Sequence, residues 1–336
     1  MNKQNQELLY HNNNKKQYKN IIRKDCNKIG VMLLISFIVM QIVSTVLIIM
    51  IQFSGNYDYT MKTGVSGIPY NLYYILNIIY EFSGFFIVPL IFCIIFKFRL
   101  RDAIPLQNNK RYSTALMVFA GYSVCTISNF FVLLLNNNLK IFGLENKTGT
   151  EFVTKTTSDE ILFFIAIAII PALVEEFIFR GVILNFLRKH GDGFAILVSS
   201  ILFGIFHGNF VQIPFAFIVG LTCGVLMVKT NSIIVPMLLH FLNNGTSVLI
   251  DISKNHLYEN TFIILYSIIM LILAVAGFIS IILLCKKGFT LRFEEKTSPT
   301  YFLSSKEKIT SMLSNPGIII VCSVFILSGI YTLLVL

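Results

Sequence analysis

Apolar runs long enough to cross a bilayer recur along almost the whole chain. Residues 29–51 read IGVMLLISFIVMQIVSTVLIIMI, and a helix needs roughly 20 apolar residues to span the hydrocarbon core. Further candidate spans fall at about 73–96, 113–135, 160–184, 194–209, 211–228, 232–250, 261–285 and 316–336. Backbone in lipid must satisfy its own hydrogen bonds, so runs of this length predict helices. The expected fold is all-α and polytopic, with eight or nine transmembrane helices around a polar cavity inside the membrane. The first run is too long for a cleaved signal peptide and follows a polar tail, so it reads as an anchor.

Composition agrees. Apolar residues make up 55% of the 336, and charged residues only 13%. That is too little charge to solubilise a water-exposed surface of this size. The net charge of +10 needs no nucleic acid to explain it. With nine spans alternating sides and the N-terminus inside, 21 of the 27 Lys and Arg residues fall on the cytoplasmic side and 5 outside. This is the positive-inside pattern, and it favours anionic lipid headgroups. The chain therefore reads as a multi-pass cell-membrane protein with a cytoplasmic N-terminus. Six cysteines are scattered without any C-x-x-C pair and read as small buried hydrophobes.

Four regions follow: a basic cytoplasmic tail (1–28), N-terminal spans and loops (29–159), a central core (160–250), and C-terminal spans with a basic loop at 286–315 (251–336). The other polar loop is 136–159. The tail and the basic loop read as solvated segments ahead of partner-recruiting ones.

Few ionisable residues remain well inside spans: Glu81, Glu175, Glu176, Arg180, His207 and His240. Each is costly in hydrocarbon, so each calls for a partner or a function. Glu176 and Arg180 are four residues apart on one helix face, acid first, the favourable order for an ion pair. Glu175 is turned about 100° from Glu176 and cannot share that arginine well. It needs another partner or has a raised pKa, and a raised-pKa carboxylate facing a cavity suits general acid–base work. Glu81 reads as bundle glue ahead of cavity lining. The fourth and fifth spans join through His190–Gly191–Asp192–Gly193. Glu175 precedes Gly191 by 16 residues and His207 follows it by 16, so an antiparallel pair sets them level, roughly 24 Å from the turn. His240 and Asn244 share a face of the seventh span at i and i+4. Gly220 and Gly224 form a G-x-x-x-G that lets helices approach closely. Pro171 and Pro236 are expected to bend their helices. His11, His190 and His256 lie in tails or loops and carry no expected chemistry.

In order along the chain, EEFIFR (175–180) matches E-E-x-x-x-R, FGIFH (203–207) matches F-x-x-x-H, and HFLNN (240–244) matches H-x-x-x-N. These blocks, with the tract TNSIIVPMLLHFLNN, resemble the CPBP family of intramembrane proteases. That group includes the CAAX prenyl endopeptidases and the bacterial Abi proteins linked to bacteriocin self-immunity. The resemblance covers about 160–250, and no motif position departs from it. It implies hydrolysis of a peptide bond in a membrane-embedded or peptide substrate, in a signalling-peptide or bacteriocin system. Glu175 and His207 would activate water, with Glu175 as general base. His240 and Asn244 would polarise the carbonyl, and Glu176 with Arg180 would brace the site. Glu175, His207 and His240 could hold Zn2+, although H-E-x-x-H is absent; a metal-free mechanism fits the same residues. Competing readings are an ion-coupled transporter and a non-catalytic membrane regulator or immunity scaffold.

Overall fold

The computed structural model describes residues 3–53, 68–107, 112–141, 154, 156–210, 212–293 and 303–334. The predicted polar loops at 136–159 and 286–315 lie partly outside that set. Among the described residues there is no β-strand, and the chain is an all-α multi-pass membrane protein.

Ten helices carry the architecture. They are α1 (Lys3–Phe53), α2 (Tyr70–Ile95), α3 (Thr114–Ile141), α4 (Thr157–His190), α5 (Asp192–Phe206), α6 (Gln212–Thr230), α7 (Ile234–His256), α8 (Glu259–Lys286), α9 (Ser305–Leu313) and α10 (Pro316–Leu334). Among the described residues six helices are long and apolar enough to cross a bilayer, within α1, α2, α3, α4, α6 and α8. A seventh results if α9 and α10, bent by 72° at their junction, count as one broken span. The other two predicted spans correspond to α5 and α7. With 15 residues, α5 is roughly 22 Å long, short of a ~30 Å core. The apolar run of α7 is interrupted by His240, Asn243 and Asn244.

From residue 14 on the basic tail is solvated along one side, with residues 16, 17, 20 and 21 exposed, and packed along another. It continues α1 toward the N-terminus without a break. Ile22, Cys26, Ile29 and Leu33, all fully buried, follow a helical spacing and give this half of α1 one apolar face. That face packs on α9 and α10. Polar contacts fix it further. Asp25 accepts from Lys189 (2.9 Å) and Lys28 (3.2 Å) and pairs with the ring of His190 (3.0 Å). Lys308 of α9 donates to the His190 carbonyl (2.8 Å). His190, predicted to sit idle in a loop, is only 1% exposed and ties the α4–α5 turn to α1.

Glycine decides how closely the ends of the chain meet. A Cβ on Gly30 would fall 2.5 Å from the carbonyl carbon of Gly317, so α1 and α10 touch backbone to backbone. Gly30→Ala must push the helices apart. The expected cost is about 1–3 kcal/mol, read as a lower unfolding temperature in detergent, whereas Val31→Ala, at an exposed position, leaves it unchanged. The G-x-x-x-G of α6 behaves as its sequence predicts: a Cβ at Gly220 would lie 3.0 Å from the Cα of Ser200 on α5.

At the centre, α4 contacts α2, α5, α6 and α7. Tyr74 of α2 and Phe163 of α4, both 1% exposed, pack at a tilt with ring centroids 5.3 Å apart. Exposed Ile, Leu and Phe side chains instead cover the outward faces of α1 and α8, as lipid contact requires. Of the cysteines, Cys26, Cys93, Cys125 and Cys223 are buried as predicted, and Cys285 is exposed.

Candidate active site

The site is built on widened helix turns. Two stretches of α4, Ile165–Ile169 and Phe177–Leu184, are π-helical, and so is Ser83–Ile87 of α2. Such turns free backbone groups and commonly mark functional positions. Pro171 lies just past the first. It has no N–H to return to the Ile167 carbonyl four residues back. Asn244 of α7 takes the vacated role, its Nδ2 donating to that oxygen at 3.1 Å. Pro171 therefore acts through a widened turn, and α4 still runs as one long span. The expected bend at Pro236 does not arise, because this residue stands in the first turn of α7, where proline is tolerated.

Glu176 and Arg180 form the predicted pair, Nη1 donating to Oε1 at 2.9 Å with both side chains fully buried. The same carboxylate oxygen accepts from His240 Nδ1 at 2.8 Å. This bond puts the Nδ1 proton between the two residues and leaves Nε2 to face Glu175, whose Oε2 lies 3.9 Å away. That separation is too long for a hydrogen bond but short enough for one water to touch both groups. Glu175 keeps 15% of its side-chain exposure, against none for Glu176. Adjacent in sequence, the two carboxylates thus occupy different settings: one locked, one open.

Phe203 organises the other side. Its ring centroid lies 4.2 Å from the Arg180 guanidinium carbon, 4.8 Å from the His207 ring, 5.1 Å from Phe179 and 6.1 Å from His240. The cation–π contact offsets part of the cost of burying the arginine, whose Nε and Nη2 find no hydrogen-bond partner. Sequence reasoning gave Phe203 no role; the available signal was its place at the head of F-x-x-x-H. His207 caps the C-terminal end of α5. Its Nδ1 donates to the Phe203 carbonyl at 2.8 Å, since a carbonyl can only accept, and Nε2 stays available for other partners.

The structure thus gathers Glu175, Glu176, Arg180 and His240 in direct succession, with Asn244 one turn along α7. It brings His207 to the same aromatic ring without a direct bond to Glu175. The donor types of Glu175, His207 and His240 suit zinc. Among the described residues, however, no three His, Cys, Asp or Glu side chains converge as ion ligands do. The remaining intramembrane acid, Glu81 of α2, lies within electrostatic reach of Glu175.

Helical membrane architecture and this constellation define the class as a polytopic membrane protein with a polar site buried among its helices. Residues 157–246 match the family model for the type II CAAX prenyl endopeptidase Rce1-like proteins. The match covers this central segment of the chain alone, the same segment that carries the three motifs. The chain is 24% identical over 188 residues to the putative membrane peptidase YdiL of Bacillus subtilis, covering 52% of this chain and 75% of that protein. It is 33% identical over 98 residues to the membrane-embedded CAAX protease MroQ of Staphylococcus aureus, covering 27% of this chain and 40% of that one. An uncharacterized 24.3 kDa protein of Escherichia coli is 33% identical over 95 residues, 26% of this chain and 44% of that protein. The chain thus spans less than half the length of the last two relatives. No solved structure gives a significant match.

Proposed function

We propose that this protein is an intramembrane endopeptidase that cleaves a peptide bond in a membrane-associated peptide or protein. The observation that carries the reading is the contrast between Glu175 and Glu176. One carboxylate is fully buried and bound through Oε1 to both Arg180 and His240, and its neighbour stands open 3.9 Å from His240 Nε2.

In the proposed reaction, Glu175 takes a proton from a water held between its carboxylate and His240. The water oxygen bonds to the scissile carbonyl carbon, and the carbonyl oxygen becomes an oxyanion. His207 orients the water through Nε2. The Asn244 carboxamide donates one hydrogen to Ile167 and has a second for the oxyanion, the kind of fixed donor that stabilises tetrahedral intermediates. The C–N bond then breaks, and the proton on Glu175 passes to the leaving nitrogen. Glu176 and Arg180 hold His240 in register. The scheme runs on these side chains without an ion.

Asn244→Ala removes both the oxyanion donor and the cap on Ile167. Its kcat should fall about 10²–10³-fold, the usual cost of one such donor, with KM changing far less. Steady-state cleavage in proteoliposomes reads this. An equal loss through KM alone would count against the oxyanion role.

The deciding experiment reconstitutes the protein with membrane peptides of the source cell and identifies released fragments by mass spectrometry, in parallel with a Glu175→Gln preparation. Metal content is measured on both. Fragments from the parent alone support the reading, and a chelator-resistant rate supports the metal-free scheme. Identical fragment patterns from both preparations would reject the assignment. We further propose that the N-terminus is cytoplasmic, on the strength of the Lys and Arg asymmetry.

A further inference from the structure

A buried site that consumes water must be supplied with it. Between α1 and α2 lies a cavity of about 320 Å³, room for on the order of ten waters. Its lining mixes apolar side chains (Leu47, Ile48, Ile68 and Leu76) with polar ones. Gln41 and Ser44 of α1 face Tyr73, Asn77 and Tyr80 of α2 across it. Gln41 Nε2 donates to the Tyr80 hydroxyl at 3.3 Å, so the two walls are in polar contact.

Two acceptors on α2 are left over. Asn77 Oδ1 and Glu81 Oε2 are buried, and neither has a hydrogen-bond partner. Four residues apart, they share one face of the helix. A buried acceptor without a donor is costly, and native structures resolve such cases with protein donors or ordered water. Here the missing partner must be a donor small enough for both places. Glu81 also lies within electrostatic reach of Tyr73 on the cavity side and of Glu175 on the other. The line from Ser44 through Asn77 to Glu81 therefore runs from the cleft toward the open carboxylate of the site.

We propose that the α1–α2 cleft is the passage by which water reaches Glu175, with Glu81 as the positioning residue at its inner end. The inference rests on the peptidase reading for its purpose, and on the cavity and the two orphaned acceptors for its existence. Water enters past Gln41 and Ser44, hydrogen-bonds to Asn77 Oδ1, and is handed to Glu81 Oε2. This identifies Glu81 as part of the water path rather than as helix-to-helix glue, for which a protein partner would be required.

The test has two parts. Ser44→Cys and Asn77→Cys, in reconstituted vesicles, are exposed to a charged methanethiosulfonate and located by peptide mapping, with Ile42→Cys as the control on the exposed face of α1. The reagent attacks the thiolate, which forms only where water reaches the cysteine, so the two cleft positions should react at least tenfold faster than Ile42→Cys. Equal rates would overturn the proposal. Separately, Glu81→Leu should lower kcat tenfold or more with KM within twofold, while Glu81→Gln, which keeps an acceptor, should recover most of the rate. A Glu81→Leu variant that folds and turns over like the parent would overturn it as well. If that variant does not fold, attaching the reagent at Ser44→Cys decides instead. A plugged passage must lower kcat, and an unchanged rate rejects the path. Labelling requires no turnover, so a wet cleft in a chain without peptidase activity would reject the proposed reaction and not the passage.

Discussion

Glu175→Gln is expected to lower the cleavage rate by about 10²–10⁴, the range attributed to a positioned general base, while the unfolding temperature stays within a degree or two of the parent. The two halves of this result have separate physical causes. Gln matches Glu in size and keeps an oxygen acceptor, but its amide cannot take a proton from water. The carboxylate of Glu175 makes no hydrogen bond to a described residue shorter than its 3.9 Å approach to His240, and its side chain keeps 15% exposure. Little native structure depends on its charge. Kinetics in proteoliposomes and a thermal melt in detergent measure the two quantities on one preparation. A rate within tenfold of the parent would remove Glu175 from the role of base.

Arg180→Leu should do the opposite, acting on the fold before the chemistry. The guanidinium is fully buried, binds Glu176 at 2.9 Å and stacks over Phe203 at 4.2 Å. Removing it strands the Glu176 carboxylate in a fully buried place. Breaking one side of a buried pair costs about 3–5 kcal/mol, because the remaining charge cannot be rehydrated. The expected signs are a fall of about 5–10 °C in unfolding temperature, or failure of the protein to accumulate in membranes. The double variant Glu176→Gln with Arg180→Leu should regain much of that stability, since no uncompensated charge remains. It should still be slow, because His240 loses the anion that fixes its Nδ1 proton. If the single variant proves as stable as the parent, the pair is not a structural brace.

The contrast between these two substitutions explains what could be read from the sequence. Helix positions were legible because lipid allows little else. The Glu176–Arg180 pair was legible because both partners lie one turn apart on one helix, where spacing alone fixes distance. So was the close approach at Gly220, which follows from missing atoms. The unread features depend on side-chain direction between helices. That His240 would lean on Glu176 while leaving its other nitrogen toward Glu175 follows from the mutual rotation of α4 and α7. That Asn244 would cap Ile167 required knowing that Pro171 frees that particular carbonyl. Phe203 was passed over because a phenylalanine in an apolar run carries no signal until its neighbours are known. Glu81 was seen but undervalued, since an intramembrane acid on α2 has no sequence link to α4. The packed stripe of the tail was missed for a related reason: lysines on one face of α1 hid a narrow apolar stripe on the other.

That stripe has a bearing on how the molecule is made. The glycine face of α1 finds its partner in α10, the last helix of the described chain. Synthesis reaches α1 long before α10, so every helix between them must leave the ribosome before this seam can close. Whatever shields Gly30 until then, lipid or an insertion chaperone, must yield to Gly317 when α10 arrives.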